Sequence, residues 1–157
     1  MKYYKSELWK EMQSNSNNEK NKKLWETKSK EYNEYFKVIK KQLPKYFINI
    51  YEKEHCFHDF YITGFRVEEV LQKTSSNFHV VYIEITDGNN SYMLKLNHVE
   101  KIKMNLADKC YFIMGRMSWG YSEFEILSDR MVKLSVLCDI LNEFEVVFKS
   151  LKLIKID

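Results

Sequence analysis

Within five consecutive residues, His55-Cys56-Phe57-His58-Asp59, the chain carries four side chains able to hold a metal ion or move a proton. Imidazole, thiolate and carboxylate are all ligands for zinc or iron. A protein-held metal needs about three or four such ligands converging on one point. Near-contiguous residues at a helix-to-strand junction point in different directions, and the remaining histidines, His79 and His98, fall in separate strands. The cluster therefore reads as a structural junction, with no metal and no cofactor expected. Asp59 is placed to accept backbone N–H groups there, and His58 to bridge helix and sheet through either ring nitrogen.

Other reactive patterns are weaker. Gly115-Arg116-Met117-Ser118-Trp119-Gly120 has the wrong spacing for a nucleophile elbow and lacks the Lys-Ser/Thr of a phosphate loop. Trp119-Gly120-Tyr121 suits a turn or bulge with aromatic cover, and an exposed Trp119–Tyr121 tip would form a binding hot spot. Glu123, Glu125, Glu143 and Glu145 have no implied apolar pocket to perturb them, so they read as solvated carboxylates rather than catalysts. A lysine run from Lys20 to Lys45 would attract phosphate without reading sequence. Arginine, which carries most base-specific contacts, occurs only as Arg66, Arg116 and Arg130, so nucleic acid is not the expected partner.

The elements that must position these groups follow from periodicity. Ser6 to Met12 reads as a short helix capped by Ser6, and the Ser/Asn stretch 13–18 breaks it. From Glu19 to Leu43, Trp25, Tyr32, Phe36, Ile39 and Leu43 draw one apolar stripe along a long helix, which Pro44 ends. Tyr46, Phe47, Ile50 and Tyr51 predict a further short helix ending near Glu54. After Asp59 the pattern changes to β-branched and aromatic residues in short runs: Phe60–Val70, Asn77–Thr86, Tyr92–Met104, Cys110–Met117, Ser122–Leu127, Met131–Cys138, Glu143–Lys149 and Leu151–Ile156. Asp87-Gly88-Asn89-Asn90 is a hairpin signal joining the second run to the third. The expected architecture is α+β in a single domain over 1–157. A helical part (1–54) containing one long amphipathic helix packs on an antiparallel sheet of about six to eight strands (55–157). Alternation places Glu123, Glu125, Glu143 and Glu145 on the face away from the aromatics, with Asp129 near one edge.

Composition narrows the class. At 157 residues and 45% hydrophobic content the chain has room for a real core, and no apolar run approaches the ~20 residues that span a bilayer. Its opening Met1-Lys2-Tyr3-Tyr4-Lys5 has no apolar signal core. Cys56, Cys110 and Cys138 form no pair at metal or redox spacing and read as small buried hydrophobes in a reducing cytosol, so a cytoplasmic location is expected. Residues 1–58 carry 13 Lys and 8 Glu, whereas residues 59–157 carry 12 basic and 14 acidic groups, a basic helical half joined to a mildly acidic one.

Several segments look familiar: the opening Met1-Lys2-Tyr3-Tyr4 with Glu7-Leu8-Trp9-Lys10-Glu11-Met12-Gln13, then Glu31-Tyr32-Asn33-Glu34-Tyr35 and Ile39-Lys40-Lys41-Gln42-Leu43-Pro44. Phe57-His58-Asp59, Asn142-Glu143-Phe144-Glu145-Val146 and Leu153-Ile154-Lys155-Ile156 complete the set. In these the chain resembles the domain of unknown function 4085 family of Firmicute proteins, over both ends and the middle. It is shorter than that family between Gln13 and the main helix, and Phe57 stands where Leu is usual. The resemblance implies the helix-then-sheet fold and no particular activity. Immunity proteins of bacterial toxin systems share this general architecture. The expected function is therefore non-enzymatic protein binding, in its most concrete form an immunity-type inhibitor of a basic toxin domain. Trp119, Tyr121, Glu123, Glu125, Asp129, Glu143 and Glu145 would form the partner surface, with no membrane involved. The alternatives are a metal-dependent hydrolase using His58 and Asp59, and a nucleic-acid-associated protein using the basic helix.

Overall fold

The apolar stripe predicted for the long helix is buried: Trp25, Tyr32, Phe36 and Ile39 line one side of α2 (Glu19–Ile39), preceded by α1 (Ser6–Ser14). The computed structural model describes residues 1–14, 19–72, 76–106, 117–127, 131–138 and 142–156. The last turn expected of α2 tightens into a 3-10 turn over Lys40–Gln42, and Leu43 becomes extended (ψ 156°) because the ring of Pro44 excludes helical geometry before it. Pro44 then caps α3 (Lys45–Lys53), its carbonyl accepting from the Ile48 N–H. The wet face of α2 is laced by ion pairs, Lys28–Glu31 at 2.7 Å and Lys37–Glu34 at 2.6 Å, which offset part of its positive charge. Among the described residues no helix is long and apolar enough to cross a membrane.

Among the described residues eight antiparallel strands follow: β1 (Phe60–Val70), β2 (Phe78–Thr86), β3 (Ser91–Val99), β4 (Lys101–Asn105), β5 (Met117–Ile126), β6 (Val132–Cys138), β7 (Glu143–Phe148) and β8 (Ser150–Ile156). Their order is β4-β7-β6-β5-β1-β2-β3-β8. The hairpin between β2 and β3 forms as predicted. Asp87 accepts from the N–H groups of Asn89 (2.7 Å) and Asn90 (2.6 Å), and Gly88 takes the positive φ of 94°. The predicted strand Tyr92–Met104 bends at His98 (φ 51°) and divides into β3 and β4. Apart from Met117, the predicted strand Cys110–Met117 lies outside the described residues, as does Asp129.

The linear order conceals a closed circuit. Only Glu100 separates β3 from β4, and only Lys149 separates β7 from β8. The Glu100 N–H donates to Val147 O at 2.9 Å and the Lys149 N–H to Asn97 O at 3.0 Å, so pairing runs on through both gaps. Counting each bent pair as one strand, β1–β2–β3/β4–β8/β7–β6–β5 returns to β1 and forms an antiparallel barrel. Inward positions of neighbouring strands lie in register, Leu94 beside Leu153 and Phe124 beside Leu134, and helices and strands bury their apolar faces in one contiguous core.

Among the described residues, β1 and β5 pair through Phe60–Ile62 and Trp119–Met117. Beyond Trp119, that edge of β5 has no strand partner among the described residues, and α2 lies against it. The hydroxyl of Tyr32 accepts from the Phe124 N–H at 2.7 Å, and that of Tyr35 from the Ile126 N–H at 3.2 Å. Phe36 of α2 and Phe47 and Tyr51 of α3 then stack around Phe124 from the inner face. Since Tyr32 is 4% exposed, Tyr32→Phe leaves a buried donor without its acceptor. We expect a loss of about 1–3 kcal/mol in denaturant unfolding, against less for Tyr35→Phe at a more accessible site. Phe36→Ala should cost about 3–5 kcal/mol, and near-wild-type stability would show that this helix face is not core.

Candidate binding pocket

The stretch Trp119-Gly120-Tyr121 is a bulge inside β5, not an exposed tip. Trp119 pairs with Cys138 and Tyr121 with Leu137, so one extra residue is inserted and the two rings face opposite sides of the sheet. Trp119 points inward, 0% exposed, against Phe57 and Phe144. Tyr121 points outward beneath Tyr4, Trp9 and Trp25. The residue between them must be glycine, because a Cβ at Gly120 would stand 2.6 Å from the Leu137 carbonyl oxygen. The expected Trp119–Tyr121 surface anchor is thus corrected: an inserted residue reverses the alternation on which exposure of both rings depends.

Opposite the bulge, the His55–Asp59 cluster forms a left-handed turn. His55, Cys56 and Phe57 have φ of 48°, 60° and 61°, and Asp59 follows at 68°. Each costs a non-glycine residue about 1–2 kcal/mol. The turn is held by the Phe57 N–H to Glu54 O (2.8 Å), by the Asp59 N–H to Trp119 O (2.9 Å), and by Phe57 itself. That ring is fully buried among Phe47, Tyr51, Phe60, Tyr92 and Trp119. The role expected of the Asp59 carboxylate is also corrected. The side chain is 86% exposed, and its contact is His58 Nδ1 at 3.0 Å; the backbone, not the carboxylate, ties the junction. With the carboxylate on Nδ1, His58 keeps Nε2 available, and the ring stands edge-on to Tyr121 at 5.0 Å. Among the described residues no three His, Cys, Asp or Glu side chains converge as a metal site requires.

Between turn, bulge and α2 lies a pocket of about 200 Å³. Tyr4, Tyr32, Phe36, Tyr51 and Tyr121 wall it with rings; Asn33 comes from α2, His55, Cys56 and His58 from the turn, and Gly120 and Ser122 from β5. The hydroxyls are largely committed elsewhere, Tyr32 to the β5 edge and Tyr51 to Ser122 Oγ at 2.7 Å. Burial raises the pKa of Tyr4, Tyr32, Tyr51 and Tyr121, so the walls stay neutral at physiological pH. Cys56 is exposed as a residue, in contrast to buried Cys138 and to the expectation of a buried hydrophobe. Its thiol nevertheless sits against packed surroundings, and desolvation raises its pKa, an effect partly offset by the Tyr51 hydroxyl. A thiol kept protonated is a poor nucleophile.

The four glutamates do share the outer face, as alternation requires: Glu123 and Glu145 flank Ser135 across β5, β6 and β7, with Glu125 and Glu143 in adjoining rows. They do not form a free acidic surface. Glu123 is 4% exposed and accepts the backbone N–H groups of Lys2 (2.8 Å), Tyr3 (2.7 Å) and Tyr4 (2.5 Å). Glu125 pairs with Lys133 at 2.5 Å, Glu145 lies 3.6 Å from the Met1 amine, and Glu143 accepts from Asn105 at 3.4 Å. Sequence reasoning missed Tyr4, Tyr32 and Tyr51 as pocket walls. The one available signal was tyrosine in stripes where a purely apolar core would use Leu or Ile, since a buried phenol needs a hydrogen-bond partner.

The turn supplies a test by stability. Cys56→Gly relieves a left-handed penalty and should raise stability by about 0.5–1 kcal/mol after glycine's gain in unfolded-state entropy. Asp59→Ala, removing an exposed side chain, should change it by less than about 0.5 kcal/mol. Urea unfolding of both variants checks the pair, and a large loss in Asp59→Ala would restore a buried role for that carboxylate. No protein-family model matches the chain, and a search of curated proteins finds no match.

Proposed function

We propose that the protein is a non-catalytic binding protein that receives one aromatic side chain of a protein partner in the pocket between α2, the left-handed turn and the β5 bulge. The observation that carries this reading is the pocket's lining. Neutral rings form the walls, the hydroxyls of Tyr32 and Tyr51 are committed to the protein, and Asn33, His55 and His58 add hydrogen-bonding groups to the lining. Apolar walls with a few polar groups are what a specific binding cavity requires. An apolar cavity of roughly 150 Å³ already holds a benzene-sized guest, so about 200 Å³ fits one aromatic side chain. A buried aromatic anchor is the usual energetic centre of a protein interface. The more specific form, an immunity-type inhibitor that neutralises a bacterial toxin, is supported by the helix-then-sheet architecture alone, which unrelated functions share.

A second reading is favoured by the His58–Asp59 contact, since an imidazole oriented by a carboxylate at the wall of a pocket is equipped for acid–base chemistry. The raised pKa of Cys56 gives that chemistry no activated thiolate partner.

Indole serves as a stand-in for the partner side chain. Titrated into labelled protein, it should shift the amide resonances of Gly120–Ser122 and His55–His58 saturably at concentrations of about 1 mM, the affinity of a single small anchor. Asn33→Trp, which adds bulk at an exposed lining position, should abolish the shifts without unfolding the chain. Absence of any saturable shift in the wild type, or undiminished shifts in Asn33→Trp, would sink the pocket reading.

A further inference from the structure

Residues Met1–Lys5 precede α1 as a strap: the N–H groups of Lys2, Tyr3 and Tyr4 and the Met1 amine reach the outer face of β5 and β7, while the Lys5 carbonyl accepts from the Trp9 N–H of α1. One carboxylate, Glu123, takes three consecutive strap N–H groups, and Glu145 lies near the amine at the strap's end. Such a row of amides makes a concave site for an anion, and here the anion is the protein's own side chain. Glu123 stands beside Ser122 and two residues from Tyr121, both of which line the pocket. At the other end of the strap, the Tyr4 ring completes the pocket wall, stacked on Tyr121 at 5.0 Å and tilted against Trp25 at 5.2 Å. The wall formed by Tyr4 therefore hangs on a latch in a different element, more than a hundred residues away in the chain.

We infer that the strap is a gate for the pocket, latched by Glu123: closed, it supplies the Tyr4 wall and holds an aromatic guest; released, it removes that wall. This rests on the pocket reading above. Two states joined in this way are thermodynamically reciprocal. The latch strengthens guest binding, and a bound guest in turn holds the strap closed. The acidic outer face is consequently a docking surface already filled, with the strap backbone in the place where a partner's N–H groups or amine would otherwise lie.

Glu123→Gln tests the gate, because the amide keeps the side chain's shape while removing the charge that gathers three donors. Hydrogen exchange of the Lys2, Tyr3 and Tyr4 amides is measured with and without indole, in wild type, Glu123→Gln and Glu125→Gln. Glu125 sits on the same face and pairs with Lys133; it reaches the strap through the charge of the Lys2 side chain and accepts none of the strap N–H groups given above, so its variant is the control for charge alone. Unchanged exchange at Phe124 and Val136 certifies the fold. Faster strap exchange in Glu123→Gln alone, slower strap exchange in wild type on adding indole, and indole binding weakened about five- to 100-fold, the usual range of site-to-site coupling, support the gate. Unaltered strap exchange in Glu123→Gln, or equal indole affinity in Glu123→Gln and wild type, overturns it while leaving the pocket standing. Failure of indole to bind the wild type removes the pocket reading, and the gate falls with it. If Glu123→Gln does not fold, Glu123→Asp in the full chain replaces it, keeping the charge while shortening its reach to the strap. Faster strap exchange with weaker indole binding then supports the gate, and unaltered strap exchange or equal affinity overturns it.

Discussion

The early parting of β5 from β1 is the constraint on which the helical side of this molecule depends. Pairing between the two stops at Trp119, next to the Gly120 bulge, and leaves the following edge of β5 with main-chain donors that no strand takes up among the described residues. Unpaired backbone groups at a buried edge are costly, and a bare edge invites pairing with other chains. A helix cannot complete the ladder with its own main chain, whose donors and acceptors are spent internally. It can do so with side chains that reach outward and accept, and Tyr32 and Tyr35 do. Those two bonds set the rotation and height of α2 against the barrel. They thereby place Phe36 over Phe124 and Trp25 over Tyr121, and fix where α3 must begin.

The same parting leaves room for the left-handed turn. A run of non-glycine residues at positive φ persists only where the surroundings over-determine it. Here the surroundings are aromatic: Phe57 is locked among five rings, and the Asp59 N–H is bonded to the first residue of the bulge. Strain in one element and an inserted residue in its neighbour face each other across the pocket. Both devices aim side chains that regular helix or strand geometry would have pointed elsewhere: the bulge turns Tyr121 outward, and the turn brings Cys56 and His58 to the pocket wall. The carboxylates of the outer face are committed to the strap, to Lys133, to the amine and to Asn105, so their charge is answered within the protein.

Much of the architecture was legible in local pattern. The spacing of Trp25, Tyr32, Phe36 and Ile39 determined α2 and its buried side. Pro44 determined the break before α3, and Asp87-Gly88-Asn89-Asn90 determined the β2–β3 turn. Strand alternation determined that Glu123, Glu125, Glu143 and Glu145 share a face. Each of these depends on residues a few positions apart, where periodicity and turn chemistry act directly.

What those residues do was decided by pairings that no local pattern contains. Tyr32 meets the Phe124 N–H across 92 residues, and Glu123 meets the strap across about 120. Closure of the barrel turns on two single-residue gaps in different strands, at Glu100 and Lys149, that happen to lie in register. Gly120 marked Trp119-Gly120-Tyr121 as a turn or bulge, but which ring is buried appears only as a shift between partners, since an inserted residue changes which face a ring occupies without changing the strand's composition. Sequence by itself therefore determined the helices, most strands and the faces of their regular stretches. Tertiary structure alone decided which polar groups were consumed inside the fold and which were left around a pocket, because hydrogen-bond satisfaction is settled by neighbours in space rather than along the chain.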